Sequence, residues 1–177
     1  MMMRLSLLFF LFLISCSLSE ETCQSEDWQA RGLADGTKGQ DQKRFDTYLQ
    51  QCGKFNITPD RQAWEKGRME GLRLYCTSQN AFELAQRGRS IRNVCAAEDR
   101  LAMQPAFYDG RALYEIGEDL RELNADLEAA KEILDTSPED SPGAQEARRE
   151  IFFLRTDIRR LTWKYDRLEA EYRAKYF

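Results

Sequence analysis

Apolar residues follow three different rhythms along this chain, and each rhythm predicts a different element. From Leu5 to Ile14 the run is almost unbroken behind the single positive charge of Arg4. Between Cys23 and Cys95 apolar and polar residues mix, with glycines interspersed, predicting short helices near Glu26 to Asp35 and near Asp41 to Gln51. Thr58-Pro59-Asp60 then opens a third helix, to about Tyr75: threonine caps, proline suits the first helical position and an acid in the first turn suits the dipole. The last stretch is the most regular. Leu113, Ile116, Leu120, Leu123, Leu127, Ala130 and Leu134 repeat at alternating spacings of three and four, and Ala147, Ile151, Leu154, Ile158, Leu161, Tyr165, Leu168 and Tyr172 do the same. Both are heptad seams. Pro138 and Pro142 interrupt the linker between them, so the two helices fold back antiparallel on one another. At about 1.5 Å per residue the seams make a rod roughly 35 Å long.

The expected fold class is therefore mainly α: a small disulfide-stapled helical domain followed by a long antiparallel coiled-coil helical hairpin. The predicted boundaries are a leader over 1–15, a tether over 16–22, the small domain over 23–100 and the hairpin over 106–177, with the seam marked by Cys95 and Pro105.

Charge strengthens the hairpin pairing. Residues 109–135 carry nine acids and three bases, while residues 144–177 carry nine bases and six acids. The whole chain is net negative, −4 over 177 residues, which argues against nucleic acid as a partner.

The leader has a signal peptide's layout and is too short for a span, which needs about 20 apolar residues. Leu13-Ile14-Ser15-Cys16 resembles a lipobox, in which the cysteine after a small residue comes to carry diacylglycerol on its thiol, with palmitate as a further acyl chain. Cysteine arithmetic agrees, since five cysteines are odd and acylating Cys16 leaves Cys23, Cys52, Cys76 and Cys95 for two disulfides in an oxidising compartment. In an antiparallel helix pair Cys23 meets Cys52, and Cys76 with Cys95 closes the loop after the third helix. Metal binding is disfavoured, because there is no C-x-x-C pair and no histidine to complete a structural zinc site. Ser17 rather than an aspartate after Cys16 implies an outer-membrane, periplasm-facing location by resemblance to bacterial sorting signals.

Within the first region Trp28-x-x-x-Gly32-x-x-Asp35-Gly36 is echoed by Trp64-x-x-Gly67-x-x-Glu70-Gly71. Glycines four apart lie on one helix face, and each costs about 1 kcal/mol against alanine in a helix interior. Close packing of two helices through Gly32, Gly36, Gly67 and Gly71 is the expected compensation, with Trp28 and Trp64 filling the gaps. The alternative is a groove where backbone meets a ligand, edged by Asp35 and Glu70. Arg87, Arg89 and Arg92 form a basic cluster, read either as a solvated loop or as a site for an envelope anion such as a glycolipid.

These words resemble proteobacterial lipoproteins of domain-of-unknown-function family 2799: Asp27-Trp28, Gly32, Asp35-Gly36, Gly39, Cys52, Thr58-Pro59-Asp60, Gly67, Gly71-Leu72, Tyr75-Cys76, Phe82 and Val94-Cys95. The resemblance spans roughly Cys23 to Cys95, and Trp64, Ala81 and Asn93 depart from its pattern. It implies an envelope lipoprotein and supplies no activity, cofactor or site residue.

An enzyme is not expected. Without histidine, Ser-His-Asp and Cys-His nucleophilic systems are excluded, and only a carboxylate-dependent hydrolase survives as a catalytic reading. No cofactor is implied. The expected function is non-catalytic: the hairpin binds or scaffolds an envelope protein partner, while the N-terminal lipid holds the membrane. Envelope-anion binding through residues 87–92 stands second and the hydrolase third.

Overall fold

The computed structural model describes residues 18–177; the apolar leader and Cys16 lie outside the described residues. Seven helices follow in order: α1 (Glu20–Ser25), α2 (Trp28–Gly36), α3 (Lys43–Gly53), α4 (Arg61–Tyr75), α5 (Ser78–Gln86), α6 (Ala97–Thr136) and α7 (Pro142–Tyr176), with no strand among the described residues. The chain is mainly α, as its apolar rhythm predicts.

Side-chain caps set most helix starts. Asp27 accepts from the Ala30 amide at 3.0 Å, and Ser141 from the Ala144 amide at 3.2 Å with Pro142 just inside. Each satisfies one of the amides that a helix start leaves without a partner. The third sequence-predicted helix begins later than its opening residues suggest. Asp60, rather than Thr58, is its cap, accepting from the Ala63 amide at 2.9 Å, and Pro59 lies outside it.

Two differences from the sequence reading matter more. The segment between Cys76 and Cys95 contains a helix, α5, capped by Thr77, whose hydroxyl accepts from the Asn80 amide at 3.2 Å. The first hairpin helix begins at Ala97 and carries Pro105 inside it. At 1.5 Å rise, its 40 residues extend about 60 Å, well past the length of the heptad seam.

Three clusters of buried side chains result. Trp28, Phe45, Tyr48 and Trp64 pack around the Cys23–Cys52 disulfide, joining α1 through α4. Tyr75, Phe82, Met103, Ala106 and Leu113 form a second core, where α5 lies against the first turns of α6 beside the Cys76–Cys95 disulfide. The end of α7 closes over this core: the Phe82 ring lies 5.5 Å from Tyr176 and 6.1 Å from Tyr172. Asp109 Oδ2 accepts from Tyr176 Oη at 2.6 Å and Lys175 Nζ at 3.0 Å, pinning the C-terminal turn to α6. A third, smaller cluster of Leu127, Ala130 and Ile151 holds the far half of the hairpin. The base of the hairpin is thus part of the compact region, and only its distal half stands clear.

Candidate functional site

The glycine repeat is a helix-helix contact. A Cβ on Gly32 would lie 1.9 Å from the Trp64 carbonyl oxygen, and one on Gly67 would lie 1.9 Å from that of Gln29. Gly36 and Gly71 are equally confined, at 2.2 Å from the Arg68 oxygen and 2.3 Å from the Leu33 oxygen. The backbones of α2 and α4 therefore touch, and the space that a ligand groove would need is filled by main chain.

Asp35 is correspondingly not a groove-edge acid. It is 6% exposed and accepts from Tyr48 Oη at 2.8 Å and Trp64 Nε1 at 2.9 Å. Arg44 Nε stands 4.0 Å away on the solvent side. Burial raises the Tyr48 hydroxyl above its ordinary pKa, and its hydrogen bond to Asp35 adds to the shift. The carboxylate serves the polar edges of two core aromatics, since a buried N–H or O–H without an acceptor is costly. Glu70 reaches only Gln29, whose amide lies 3.4 Å from its oxygens. Arg68 is also buried, stacked 5.7 Å over Trp64 with Glu65 3.3 Å from its Nε, although Nε and Nη1 make no hydrogen bond.

The basic cluster does not converge. Arg87 pairs with Glu83 at 3.2 Å, Arg92 Nη1 donates to Gln40 at 2.7 Å, and Arg89 is exposed. Gly88 sits at φ +69° against the Tyr114 ring, turning the chain between Arg87 and Arg89.

The outward face of α7 carries the most conspicuous surface. Phe152, Phe153 and Trp163 are 67%, 63% and 63% exposed, opposite the seam that meets α6. Phe152 and Trp163 are three helical turns apart and share a face with Thr156 and Arg159. The Arg167 guanidinium lies 4.9 Å over the Trp163 ring. Arg149 and Arg160 pair with Glu146 and Asp157 on the same helix, whereas Arg155, Arg159 and Arg167 form no salt bridge among the described residues. Sequence reasoning followed the inward seam and passed over these aromatics. The same periodicity that buries Ile151 and half-covers Ile158 nevertheless turns Phe152 and Trp163 outward.

Among the described residues no group of three metal-ligating side chains is gathered, and no helix is long and apolar enough to cross a membrane. The model of a family described as protein of unknown function (DUF2799) matches residues 27–112, which include α2 to α5 and the first turns of α6. No curated protein and no solved structure matches the chain.

Proposed function

We propose that this chain, whose residues 27–112 belong to the uncharacterised DUF2799 family, is a non-catalytic, lipid-anchored envelope protein that engages a protein partner through its helical hairpin. The observation that carries this reading is the exposed Phe152, Phe153 and Trp163 on α7, a helix whose opposite face already rests on α6. Exposed apolar surface rimmed by polar residues marks interaction sites, and aromatic and arginine side chains are the groups that most often anchor an interface. The unpaired arginines around the aromatics favour a partner with an acidic surface.

Export and lipidation rest on the leader and on Ser15-Cys16, and two disulfides suit an oxidising compartment. Outer-membrane anchoring through Cys16, facing the periplasm, completes the reading.

Deleting 106–177 is a poor test, because Ala106, Gly110 and Leu113 belong to the core against α5. A photocrosslinking residue at Thr156, between Phe152 and Trp163 on the outer face, leaves that core alone. In cells it should yield one discrete protein adduct, abolished by the pair Phe152→Ser and Trp163→Ser. Adducts that persist in the substituted chain, or that form only from positions near Trp28 or Arg89, would make the hairpin a strut. Anchoring is tested separately: Cys16→Ser should abolish fatty-acid incorporation, and normal processing of that variant would refute it.

A further inference from the structure

We infer that the groove between residues 91–93 and the first turns of α6 binds an anionic amphiphile, a single alkyl chain with a small negatively charged head. The groove is about 500 Å³, inside the range of about 300–1,000 Å³ usual for small-molecule sites. It does not depend on the α7 surface.

Its floor follows from how α6 is placed. Met103, Ala106 and Gly110 turn toward α5 and are buried, so Leu101, Gln104 and Tyr108, spaced for the other face of the helix, line the groove. Leu101 is 70% exposed and Tyr108 60%, an apolar ledge that water covers poorly. Ile91 and Phe107 lie at its inner edge, packed on the core beneath. The facing wall is fixed before any ligand arrives. Cys95 is tied to Cys76, and the Arg92 amide donates to Tyr75 Oη at 3.0 Å. A wall already held in place spares a ligand part of the ordering cost of binding.

Two arginines give the groove its sign. Arg92 Nη1 donates to the Gln40 side-chain oxygen at 2.7 Å, and Arg100 Nη1 donates to Asn93 Oδ1. Both acceptors are neutral amides, and neither guanidinium has a salt bridge among the described residues. Arg87 nearby differs, since Glu83 balances it. The lining of the groove therefore holds two arginines beside apolar surface and no carboxylate. A carboxylate or phosphate can take the remaining guanidinium donors in the geometry that arginine favours. The polar side chains of the lining are mutually occupied: Asn93 by Arg100, and Gln104 by Tyr108, to whose hydroxyl it donates at 3.3 Å. What remains toward the floor suits hydrocarbon, because a polar group buried there without a partner would be penalised.

Calorimetric titration of the purified protein with decanoate and with decyl phosphate, below their micelle concentrations, tests the inference. One-site binding of either anion is expected, with decanol and inorganic phosphate each at least about tenfold weaker, which corresponds to roughly 1.4 kcal/mol. The joint substitution Arg92→Gln and Arg100→Gln should weaken the anion by a similar factor, and Leu101→Asn should reduce the advantage of the decyl chain over phosphate alone. Arg89→Gln, outside the groove, should change nothing. Equal affinity for decanol and decanoate, equal affinity for phosphate and decyl phosphate, or binding unaffected by the arginine pair would overturn it. Since Thr156 crosslinking reads α7 alone, failure here leaves the partner reading standing, and the reverse also holds.

Discussion

The two helix pairs of this molecule are built on opposite principles. α2 and α4 meet main chain to main chain, with a hypothetical Cβ at Gly32 or Gly67 falling 1.9 Å from a carbonyl oxygen of the other helix. α6 and α7 meet side chain to side chain through a seam in which Leu113, Leu127 and Ile151 are buried while Leu120, Leu123, Leu154 and Leu161 are only half-covered. The first contact admits no substitution at its glycines, because the obstruction is backbone and cannot rotate away. The second can exchange one aliphatic side chain for another of similar volume. The family match ends at residue 112, just beyond Gly110, whose Cβ would meet the Phe82 oxygen at 2.4 Å. The recognisable pattern thus covers the glycines that touch backbone and stops where the side-chain seam takes over.

The largest effect that would break this comparison comes from Gly67→Ala. Overpacking a core costs about 1–3 kcal/mol where side chains can shift, and here a carbonyl must move and carry α2 with it. A loss of about 3 kcal/mol or more is expected in urea denaturation. A loss under about 1 kcal/mol would show that α2 and α4 separate easily, and the contrast between the two pairs would fail.

A smaller effect is expected at the polar centre of the same pair. Asp35→Ala leaves the Tyr48 hydroxyl and the Trp64 indole N–H buried without an acceptor, a loss of about 2 kcal/mol. Asp35→Asn retains an acceptor oxygen and should cost less. The Tyr48 hydroxyl also predicts a pH dependence. Its folded pKa is raised by burial and by its bond to Asp35, so the folded state holds this proton more tightly than the unfolded chain, whose tyrosines titrate near about 10. That contribution is complete below about pH 10 and is lost as pH rises through the folded value. Urea midpoints measured upward from pH 9 should fall, and Tyr48→Phe should fall less steeply. Equal slopes in the two proteins would place the alkaline loss elsewhere, with Tyr172 and Tyr176 at the base of the hairpin the next groups to substitute.

How much of this was legible in the sequence depended on whether a signal was periodic or three-dimensional. The hairpin is periodic, and its seams from Leu113 and from Ala147 survive intact in the structure. The glycine repeat was legible for a related reason, since only close approach offsets four costly residues in matching places. The Cys23–Cys52 and Cys76–Cys95 pairs followed from placing the cysteines at helix ends. α5 was not legible: it is nine residues long, and the basic run after it reads as loop. Its Thr77 cap and the spacing of Ala81, Phe82, Leu84 and Ala85 were the available signs. Pro105 misled in the other direction. Proline removes one helical hydrogen bond, but Pro105 is on an exposed position of a helix whose neighbours Met103 and Ala106 are deeply buried, and their packing holds the helix through it. The alternative that set Asp35 at a groove edge could not be dismissed locally, because nothing nearby in sequence reveals that Trp64 and Tyr48, 29 and 13 residues away, would donate to it.

The finest discrimination between the two principles lies within α6 itself, which carries one glycine of each kind. Gly110 faces the Phe82 oxygen, and a Cβ there would also come to 3.0 Å from the Ala85 methyl. Gly117, two turns later on the same helix, has nothing within 4 Å of its would-be Cβ and has ordinary helical φ. Glycine in a helix interior gives up about 0.5–1 kcal/mol relative to alanine, because the unfolded chain has more freedom to lose. At Gly117 no contact offsets that loss. Gly117→Ala should therefore stabilise the protein by about 0.5–1 kcal/mol, while Gly110→Ala in the same helix should destabilise it, because Phe82 must move from the centre of its core. Thermal denaturation of the two variants reads the sign directly. Were both to stabilise, α5 would not rest on α6 backbone to backbone, and the boundary at which the main-chain contacts give way to the side-chain seam would have to be drawn before Ala97 instead of after Gly110.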